Sequence, residues 1–334
     1  MKLRDVLLVL SGCLATVPAA LAADQLVVYS GRSDKFVKPV VEAFTQRTGI
    51  PVLLHSGSST ALLNKLQAEG AKTQADLYVS NDAGNLEQGS ELGLFEPMPA
   101  ELVGAIPNNL RAADNTWVGL SARARVLVVN TNAAGARDLS SVFDLARPEL
   151  KGRIGITHSS NESYIAGVTV YMQAVGSDKV RAWLQAMKAN AEDSVFSKHS
   201  HIVKAVAEGK KDVGLVNHYY IYRHLDKDPN APIRVVLPDQ GADGMGVAWN
   251  VAGVAVSKHS AKRDAALKLV AFLVSPEGQK IFAEANREYP TLPGVAADPA
   301  VPAAGSYKVA PVAMAELGRQ RGATIDLIES VGMP

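Results

Sequence analysis

The sequence has almost no cysteine: Cys13 is the only one in 334 residues. Ala20–Leu21–Ala22 matches the A-x-A pattern of a signal-peptide cleavage site, so we expect residues 1–22 to be removed. The remaining chain then has no disulfide, no thiolate nucleophile and no cysteine-ligated zinc or iron–sulfur cluster. Alternatively, Leu10–Ser11–Gly12–Cys13 fits a lipoprotein cleavage box, and Cys13 would carry a lipid anchor. Either form of processing exports the protein.

The chain also lacks a surplus of charge of either sign. It has 34 Lys and Arg against 33 Asp and Glu, and removal of residues 1–22 makes the two numbers equal. A nucleic-acid-binding protein would show a basic surplus or stripe, so that class is excluded. No later apolar run reaches transmembrane length. The remaining length suffices for two domains of ordinary size.

Short apolar strands alternate with helical patterns, which indicates an α/β fold with parallel strands. The predicted strands are 25–29, 50–54, 76–79, 117–120, 125–129, 153–157, 213–216 and 250–256. The predicted helices begin near Phe36 and cover 61–69, 140–145, 165–175, 179–188, 201–208 and 261–273, with another after Ser275 and a last one near 312–317. The strand pair within 117–129 would carry the chain into a second lobe.

Two adjacent tyrosines, Tyr219 and Tyr220, follow the apolar strand 213–216. We predict that Asn217 caps the next helix. Residues in a first helical turn are separated by about 100°, so both phenol oxygens can approach one point beyond the strand end. Two phenolates form a hard anionic donor set, which suits a trivalent cation better than zinc or copper(I). The alternative is one core aromatic and one interface aromatic.

Polar sequence follows three other predicted strands. These turns are Ser30–Gly31–Arg32–Ser33, Ser56–Gly57–Ser58–Ser59–Thr60 and His158–Ser159–Ser160–Asn161–Glu162–Ser163. Strand ends in a doubly wound fold bind ligands, and backbone N–H groups at helix starts hold oxyanions. We therefore predict that Ser33, Ser159, Ser160, Asn161 and Asn217 contact an anion. The alternative for each turn is ordinary helix capping.

Three arginines are candidates for the same anion. Arg is a planar bidentate donor for carboxylate, carbonate or phosphate. Arg32 follows Gly31 in the first turn and is the best candidate; the alternative is a solvated surface charge. Arg123 and Arg125 share one face of a strand, so Arg123 is a second candidate and one of the two would bridge the lobes.

Further ligands are less clearly marked. Tyr164 is a candidate third phenolate or a core aromatic, and Glu162 and Asp82 are candidate carboxylates. The histidines show no metal-binding spacing, and we interpret them as surface residues; His199 and His201 could point to one side of a strand. An exported hydrolase using Ser and His is an alternative class, but no G-x-S-x-G elbow occurs.

Several of these segments together resemble the periplasmic ferric-ion-binding proteins of ABC transporters. They are Tyr29–Ser30–Gly31–Arg32, Asp82–Ala83–Gly84–Asn85–Leu86, Gly119–Leu120–Ser121–Ala122–Arg123–Ala124–Arg125–Val126, Asn217–His218–Tyr219–Tyr220 and Glu288–Tyr289–Pro290. The resemblance covers essentially the whole chain after the signal peptide, in order. It implies an α/β, two-lobed class II periplasmic binding protein fold, in which each lobe is a mixed sheet flanked by helices and the ligand binds between the lobes.

The resemblance also implies a ligand set. Adjacent tyrosines ligate Fe(III) in that family, so Tyr219 and Tyr220 would be the principal ligands. This chain has Arg32–Ser33 where some members have His, and Asn81 where some have Glu. Members with Ser-Gly-Arg in the first turn are similar to the branch that uses carbonate, which implies carbonate held by Arg32 as a co-ligand.

The implied function is capture of ferric iron by closure of two lobes, without chemistry on a substrate, and delivery to an inner-membrane ABC permease and its ATPase. We expect a periplasmic monomer. An oxyanion- or phosphonate-binding protein of the same fold is the main alternative. The expected boundaries are a signal peptide (1–22), lobe 1 (23–122 and 247–300), lobe 2 (123–246) and a C-terminal helical segment packing on lobe 2 (301–334).

Overall fold

A computed structural model describes residues 25–192 and 194–334. The signal-peptide prediction and the lipid anchor on Cys13 lie outside the described residues. The strands are β1 Leu26–Ser30, β2 Val52–Ser56, β3 Leu77–Ser80, β4 Phe95–Glu96, β5 Trp117–Asn130, β6 Ile154–Thr157, β7 Val195–Phe196, β8 Val213–Asn217, β9 Ile233–Val236, β10 Trp249–Ser257 and β11 Tyr289–Pro290.

The helices are somewhat longer than the sequence predicts. They are α1 Asp34–Thr48, α2 Ser59–Glu69, α3 Ala83–Glu91, α4 Ala100–Val103, α5 Glu162–Val175, α6 Ser177–Ala191, α7 His199–Ala207, α8 Tyr219–Leu225, α9 Arg263–Leu273, α10 Pro276–Asn286, α11 Glu316–Arg319 and α12 Arg321–Val331. The segment 140–145 forms a 3₁₀ turn, Val142–Ala146, rather than an α-helix.

Two groups of strands form the two predicted lobes. In lobe 1, β1 lies between β2 and β3 in parallel, and β10 runs antiparallel between β3 and the first half of β5. In lobe 2, the second half of β5 pairs antiparallel with β8 and β9, and β8 continues in parallel to β6 and β7. Helices α1, α2, α3 and α9 pack on lobe 1, and α6 and α7 pack on lobe 2. The two-lobed α/β fold is thereby confirmed, whereas the exact domain boundaries stay a prediction.

The prediction of two separate strands within 117–129 is wrong. Residues 117–130 form one continuous strand, and all fourteen of its residues are buried. The polar sequence around Ser121 reads as a turn, but β10 and β11 pair with the backbone there. The strand therefore passes from one lobe into the other without a break.

Two further predictions at helix ends are corrected by the structure. Asn217 ends β8, and His218 rather than Asn217 is the N-cap residue of α8. The predicted last helix near 312–317 lies later in the chain, as α11 and α12. Helix α12 packs on α5 and α6 of lobe 2, while α11 packs on α3 of lobe 1. The described residues contain no helix long and apolar enough to cross a membrane.

Gly253 shows how closely β10 and β5 approach each other. A Cβ atom at Gly253 would lie 2.4 Å from the carbonyl oxygen of Val118. We expect Gly253→Ala to lower the free energy of unfolding by about 1–3 kcal/mol, the usual effect of overpacking a core. Gly135→Ala is the control because a Cβ there meets nothing within 4 Å, and it should stabilise by at most about 1 kcal/mol. Urea unfolding measures both, and equal stability of the two variants would contradict this packing.

Candidate metal and anion site

A cavity of about 290 Å³ lies where the strand ends of the two lobes meet. Its walls are formed by Gly31, Ser58, Ser59, Asn81, Asn161, Glu162, Ser163, His199, Asn217, Tyr219 and Tyr220. All four polar segments singled out in the sequence contribute to it. The fold therefore brings the predicted turns together in one interlobe cleft.

Tyr219 and Tyr220 lie in the first turn of α8, and both contact the cavity. Their ring centroids are 4.6 Å apart. The Asn217 side chain donates from Nδ2 to the Tyr219 hydroxyl (3.1 Å). Burial, followed by the neighbouring Tyr219, raises the pKa of Tyr220. A free tyrosine is already protonated at neutral pH, and burial makes loss of the Tyr220 proton still less favourable unless a cation replaces it.

His199 belongs to this site, and the prediction of a surface histidine on a strand is wrong. It begins α7, is only 4% exposed and stacks on Tyr220 at a centroid distance of 5.1 Å. Its Nδ1 accepts the Asn217 backbone N–H (3.1 Å), which places the proton of the neutral ring on Nε2. Burial, then Arg125, lowers the pKa of His199. The ring is therefore neutral, and Nε2 has no hydrogen-bond partner within the described chain.

Glu162 joins the two lobes across the cleft. It begins α5 in lobe 2, and its Oε1 lies 3.5 Å from the Thr60 hydroxyl on α2 in lobe 1. Burial, followed by the nearby Asp82 carboxylate, raises the pKa of Glu162. Asp82 itself is buried, where it caps α3 through the Asn85 N–H (3.0 Å). Of these two candidate carboxylates, only Glu162 contacts the cavity.

Arg123 is a buried cation whose charge acts on this site, although it does not line the cavity. Arg125 is also buried and donates to Asn217 Oδ1 (3.2 Å). Arg123 is 1% exposed, yet its Nε, Nη1 and Nη2 atoms have no hydrogen-bond partner among the described residues. Its charge lowers the pKa of Glu162 and of Tyr220 against the opposing effect of burial. A buried guanidinium without a bonded acceptor is costly. This environment suits an additional anion close to Arg123.

Arg32 is buried, so the alternative of a solvated surface charge is wrong. Its guanidinium forms a buried ion pair with Glu288 (Nη2–Oε2 2.9 Å), and it lies 5.0 Å from the centroid of the Phe282 ring. Glu288 also accepts hydrogen bonds from Ser121 and Asn286. Arg32 does not contact the cavity, so its predicted role in holding an anion stays a prediction.

Known proteins with similar sequences identify the family of this chain. The model of the bacterial extracellular solute-binding protein family matches residues 40–309. The chain belongs to this family. It is 32% identical to Iron uptake protein A2 of Synechocystis sp. over 95% of this chain and 93% of that protein. It is 30% identical to the Major ferric iron-binding protein of Neisseria meningitidis, with 97% of each chain covered.

A solved structure agrees with these matches. The Trichodesmium protein (IdiA, FutA) in complex with iron and citrate ligands superposes with a TM-score of 0.84 at 31% identity, over 93% of this chain and all of that one. The predicted resemblance to periplasmic ferric-ion-binding proteins is confirmed. The family supplies the two lobes and the cleft, while the ligands of this member depend on its own side chains.

Several residues predicted to bind the metal or the anion do not contact the interlobe cavity. Tyr164 is 2% exposed, its hydroxyl has no partner within residues 25–192 and 194–334, and burial raises its pKa. Ser159 donates its N–H to the carboxyl-terminal Pro334 (2.7 Å). Ser160 bonds to His158 Nδ1 (2.8 Å), and Ser33 is exposed. Asn161 and Asn217 do contact the cavity.

The described residues contain no cluster of three or more His, Cys, Asp or Glu that could hold a metal ion. A second, larger cavity of about 740 Å³ lies under the segment 290–304. Proline, alanine and other small residues form most of its walls, and Asp298 is its only acidic residue. The interlobe cavity, in contrast, combines one acidic residue, Glu162, with two tyrosines, Tyr219 and Tyr220.

The buried Arg32–Glu288 pair generates a stability prediction. Arg32→Met leaves the Glu288 carboxylate buried without its guanidinium, and we expect a loss of about 3–5 kcal/mol in the free energy of unfolding. Arg47→Met is the matched control because the Arg47–Glu277 pair is exposed, and its loss should stay below about 1 kcal/mol. Guanidinium chloride unfolding at pH 7 measures both.

The same pair has a defined pH dependence. Burial alone would raise the pKa of Glu288, but Arg32 and then Arg123 bring it below its ordinary value. A lowered folded-state pKa contributes stability above the unfolded pKa of about 4.3, and this is lost as pH falls through the folded value. The difference between wild type and Arg32→Met should therefore narrow below pH ~4. A difference that stays constant with pH would show that the ion pair does not account for it.

Proposed function

We propose that this protein is a periplasmic binding protein that captures Fe(III) between its lobes and delivers it to an inner-membrane ABC permease and its ATPase. The observation that carries this proposal is the pair Tyr219–Tyr220 at the start of α8, with both residues on the wall of the cleft. The relatives named as ferric-binding proteins support the choice of ion. In this proposal the protein is a monomer and performs no chemistry on a substrate.

Phenolate oxygen explains the choice of a trivalent ion. Fe(III) is a hard cation and prefers anionic oxygen donors. Each tyrosine must lose a proton whose free pKa is about 10, and burial raises the pKa of Tyr220 further. Iron binding therefore releases protons, and the affinity falls as pH falls because protons compete for the phenolates. Tyr164 does not contact the cleft, so its role as a third phenolate stays a prediction.

Two phenolates leave part of the iron coordination sphere open. We propose that a small anion, with carbonate as the first candidate, completes it. The Arg123 guanidinium lacks a bonded acceptor among the described residues, although Arg123 does not line the interlobe cavity. Ser59, Asn161 and Asn217 do line that cavity. Arg32 is the alternative holder of this anion, and Glu162 is the alternative donor to the metal. The solved structure of the Trichodesmium protein with iron and citrate makes citrate another candidate anion.

Closure of the lobes would complete the site. Hinge closure around a ligand is the usual motion of periplasmic binding proteins. In this structure Thr60 of lobe 1 approaches Glu162 of lobe 2 (3.5 Å), and Arg223 of lobe 2 lies 4.7 Å from the ring centroid of Phe36 in lobe 1. Both contacts depend on the closed arrangement, so a ligand held by Tyr219 and Tyr220 would be enclosed from both sides.

A second candidate is an oxyanion- or phosphonate-binding protein of the same fold. The unpartnered guanidinium of Arg123 is the observation that favours it. Such a protein would need no phenolate, so the two candidates differ in their dependence on the tyrosines. The visible spectrum with ferric citrate separates them.

We expect the iron-loaded protein to be coloured by tyrosinate-to-iron charge transfer. Tyr219→Phe/Tyr220→Phe should abolish the visible band because both donors are removed, and iron affinity should fall by several orders of magnitude. Tyr222→Phe is the matched control, since Tyr222 lies on the same helix but does not contact the cavity. Absorbance titration with ferric citrate and circular dichroism measure the band and the fold. A colourless wild-type protein that takes up no iron but binds a phosphonate would establish the second candidate.

The dependence of iron affinity on bicarbonate tests whether carbonate is the co-ligand. We expect iron affinity to depend on bicarbonate in wild type and to lose this dependence in Arg123→Met, at a cost of roughly 1.5–3 kcal/mol, the scale of a hydrogen bond to a charged group. The sequence predicts the same loss for Arg32→Ala, so the two variants decide which arginine holds the anion. Iron titration under bicarbonate-free and bicarbonate-containing conditions measures the effect. Equal affinity under both conditions in all three proteins would leave carbonate without a role.

A further inference from the structure

A third cavity, distinct from the two described above, lies at the mouth of the cleft beside the proposed iron site. Its volume is about 270 Å³, and its walls are formed by Lys35, Ser200, Tyr220, Arg223, His224 and Lys227. We refer to it as the basic pocket. Four of its six residues carry basic side chains, and none of these four residues lines the interlobe cavity beside Tyr219. Tyr220 is the only residue that contacts both cavities, so the basic pocket opens directly beside the proposed metal ligand.

The basic pocket has no matching negative charge. Within the part of the chain that the structure describes, no carboxylate lies within 4.0 Å of Lys35, Arg223 or Lys227. Two acidic neighbours in sequence are engaged elsewhere: Asp34 pairs with Lys38 (3.3 Å), and Asp226 pairs with Arg287 (2.9 Å). A third, Asp228, follows Lys227 and does not line the pocket. Unpaired cations that converge on a concave surface create a positive potential that attracts anions.

The cations come from opposite sides of the cleft. Lys35 belongs to α1 of lobe 1, while Arg223 and Lys227 lie at α8 of lobe 2. The Lys35 ammonium and the Arg223 guanidinium both approach the Phe36 ring, each 4.7 Å from its centroid. Burial, then Arg223 and Lys227, lowers the pKa of Lys35. Lobe closure therefore brings like charges together, and an anion between them would offset the repulsion.

We propose that the basic pocket binds a small polycarboxylate anion at the cleft mouth, and that this anion bridges the two lobes. Arg223 offers a planar fork that suits a carboxylate, and Lys35 and Lys227 supply further charge-assisted hydrogen bonds. The cavity lies just below the usual range of about 300–1,000 Å³ for ligand pockets, so it fits a small metabolite. Several separated cations suit several separated carboxylates better than one compact anion. The pocket can hold the anion free or as an iron chelate; only the second case rests on the proposed function.

The first measurement is calorimetric titration of metal-free protein with citrate at low ionic strength, with acetate as the single-carboxylate probe. We expect citrate to bind and acetate to bind far more weakly. Lys35→Gln/Lys227→Gln should lower citrate affinity about tenfold, since two partly exposed charge contacts are lost. Lys204→Gln/Lys280→Gln removes the same charge from surface positions outside the pocket and should leave the affinity unchanged. Added salt should weaken binding.

A second measurement separates the pocket from the iron site and free citrate from its chelate. Tyr219→Phe lacks one proposed iron ligand but keeps all residues of the basic pocket. If this variant binds citrate as wild type does, the anion site exists independently of iron capture. Binding of ferric citrate alone, sensitive to Lys35→Gln/Lys227→Gln, identifies the chelate as the ligand. Equal citrate affinity in the two lysine double variants, or no binding of either form to wild type, would overturn the proposal.

Discussion

The two lobes share one strand, and the arrangement of the cleft follows from this constraint. The first half of β5 pairs with β10 and the second half with β8, so Arg123 and Arg125 lie where the lobes meet. His218 fixes the start of α8 to this strand, because its Nδ1 accepts the Ala124 N–H (3.1 Å) and its Nε2 bonds to the Arg287 carbonyl (2.7 Å). Burial lowers the pKa of His218 to about 4, so this link is uncharged at neutral pH. The tyrosine pair is thereby anchored at the hinge.

Arg32 and Arg123, two of the three buried arginines near the cleft, lie in different electrostatic environments. Arg32 is neutralised by Glu288 and stabilises the interior of lobe 1. Arg123 has no bonded acceptor in the described chain, although it is equally buried. Protonated phenols carry no charge, and Arg123 acts on Glu162 and Glu288 without a hydrogen bond to either carboxylate. A trivalent metal alone would add to this positive charge, and phenolates together with an anion would offset it.

The sequence was sufficient for the two-lobed fold and for the Tyr219–Tyr220 element, since strand alternation and an aromatic pair after a strand are local signals. It was insufficient for His199, because whether that residue begins a helix depends on packing against β8 rather than on its neighbours. The continuous strand at 117–130 was missed for a similar reason: the polar residues of Ser121–Arg125 find their partners on elements far along the chain. The ion pair of Arg32 with Glu288 also could not be predicted from the neighbouring sequence, since 256 positions separate the two residues.

The shared strand also determines which backbone hydrogen bonds a motion of the lobes would affect. Amides of β5 are paired with β10 and β11 on one side of the hinge and with β8 and β9 on the other. A rotation confined to the dihedral angles near Ala124 would affect only the bonds at the boundary of the two ladders, such as the one from the Arg125 N–H to the Ala248 carbonyl (2.9 Å). Exchange of the other β5 amides would then report unfolding of a lobe and not its opening. If the lobes move in this way, the cleft opens and closes many times within one lifetime of the protected strand.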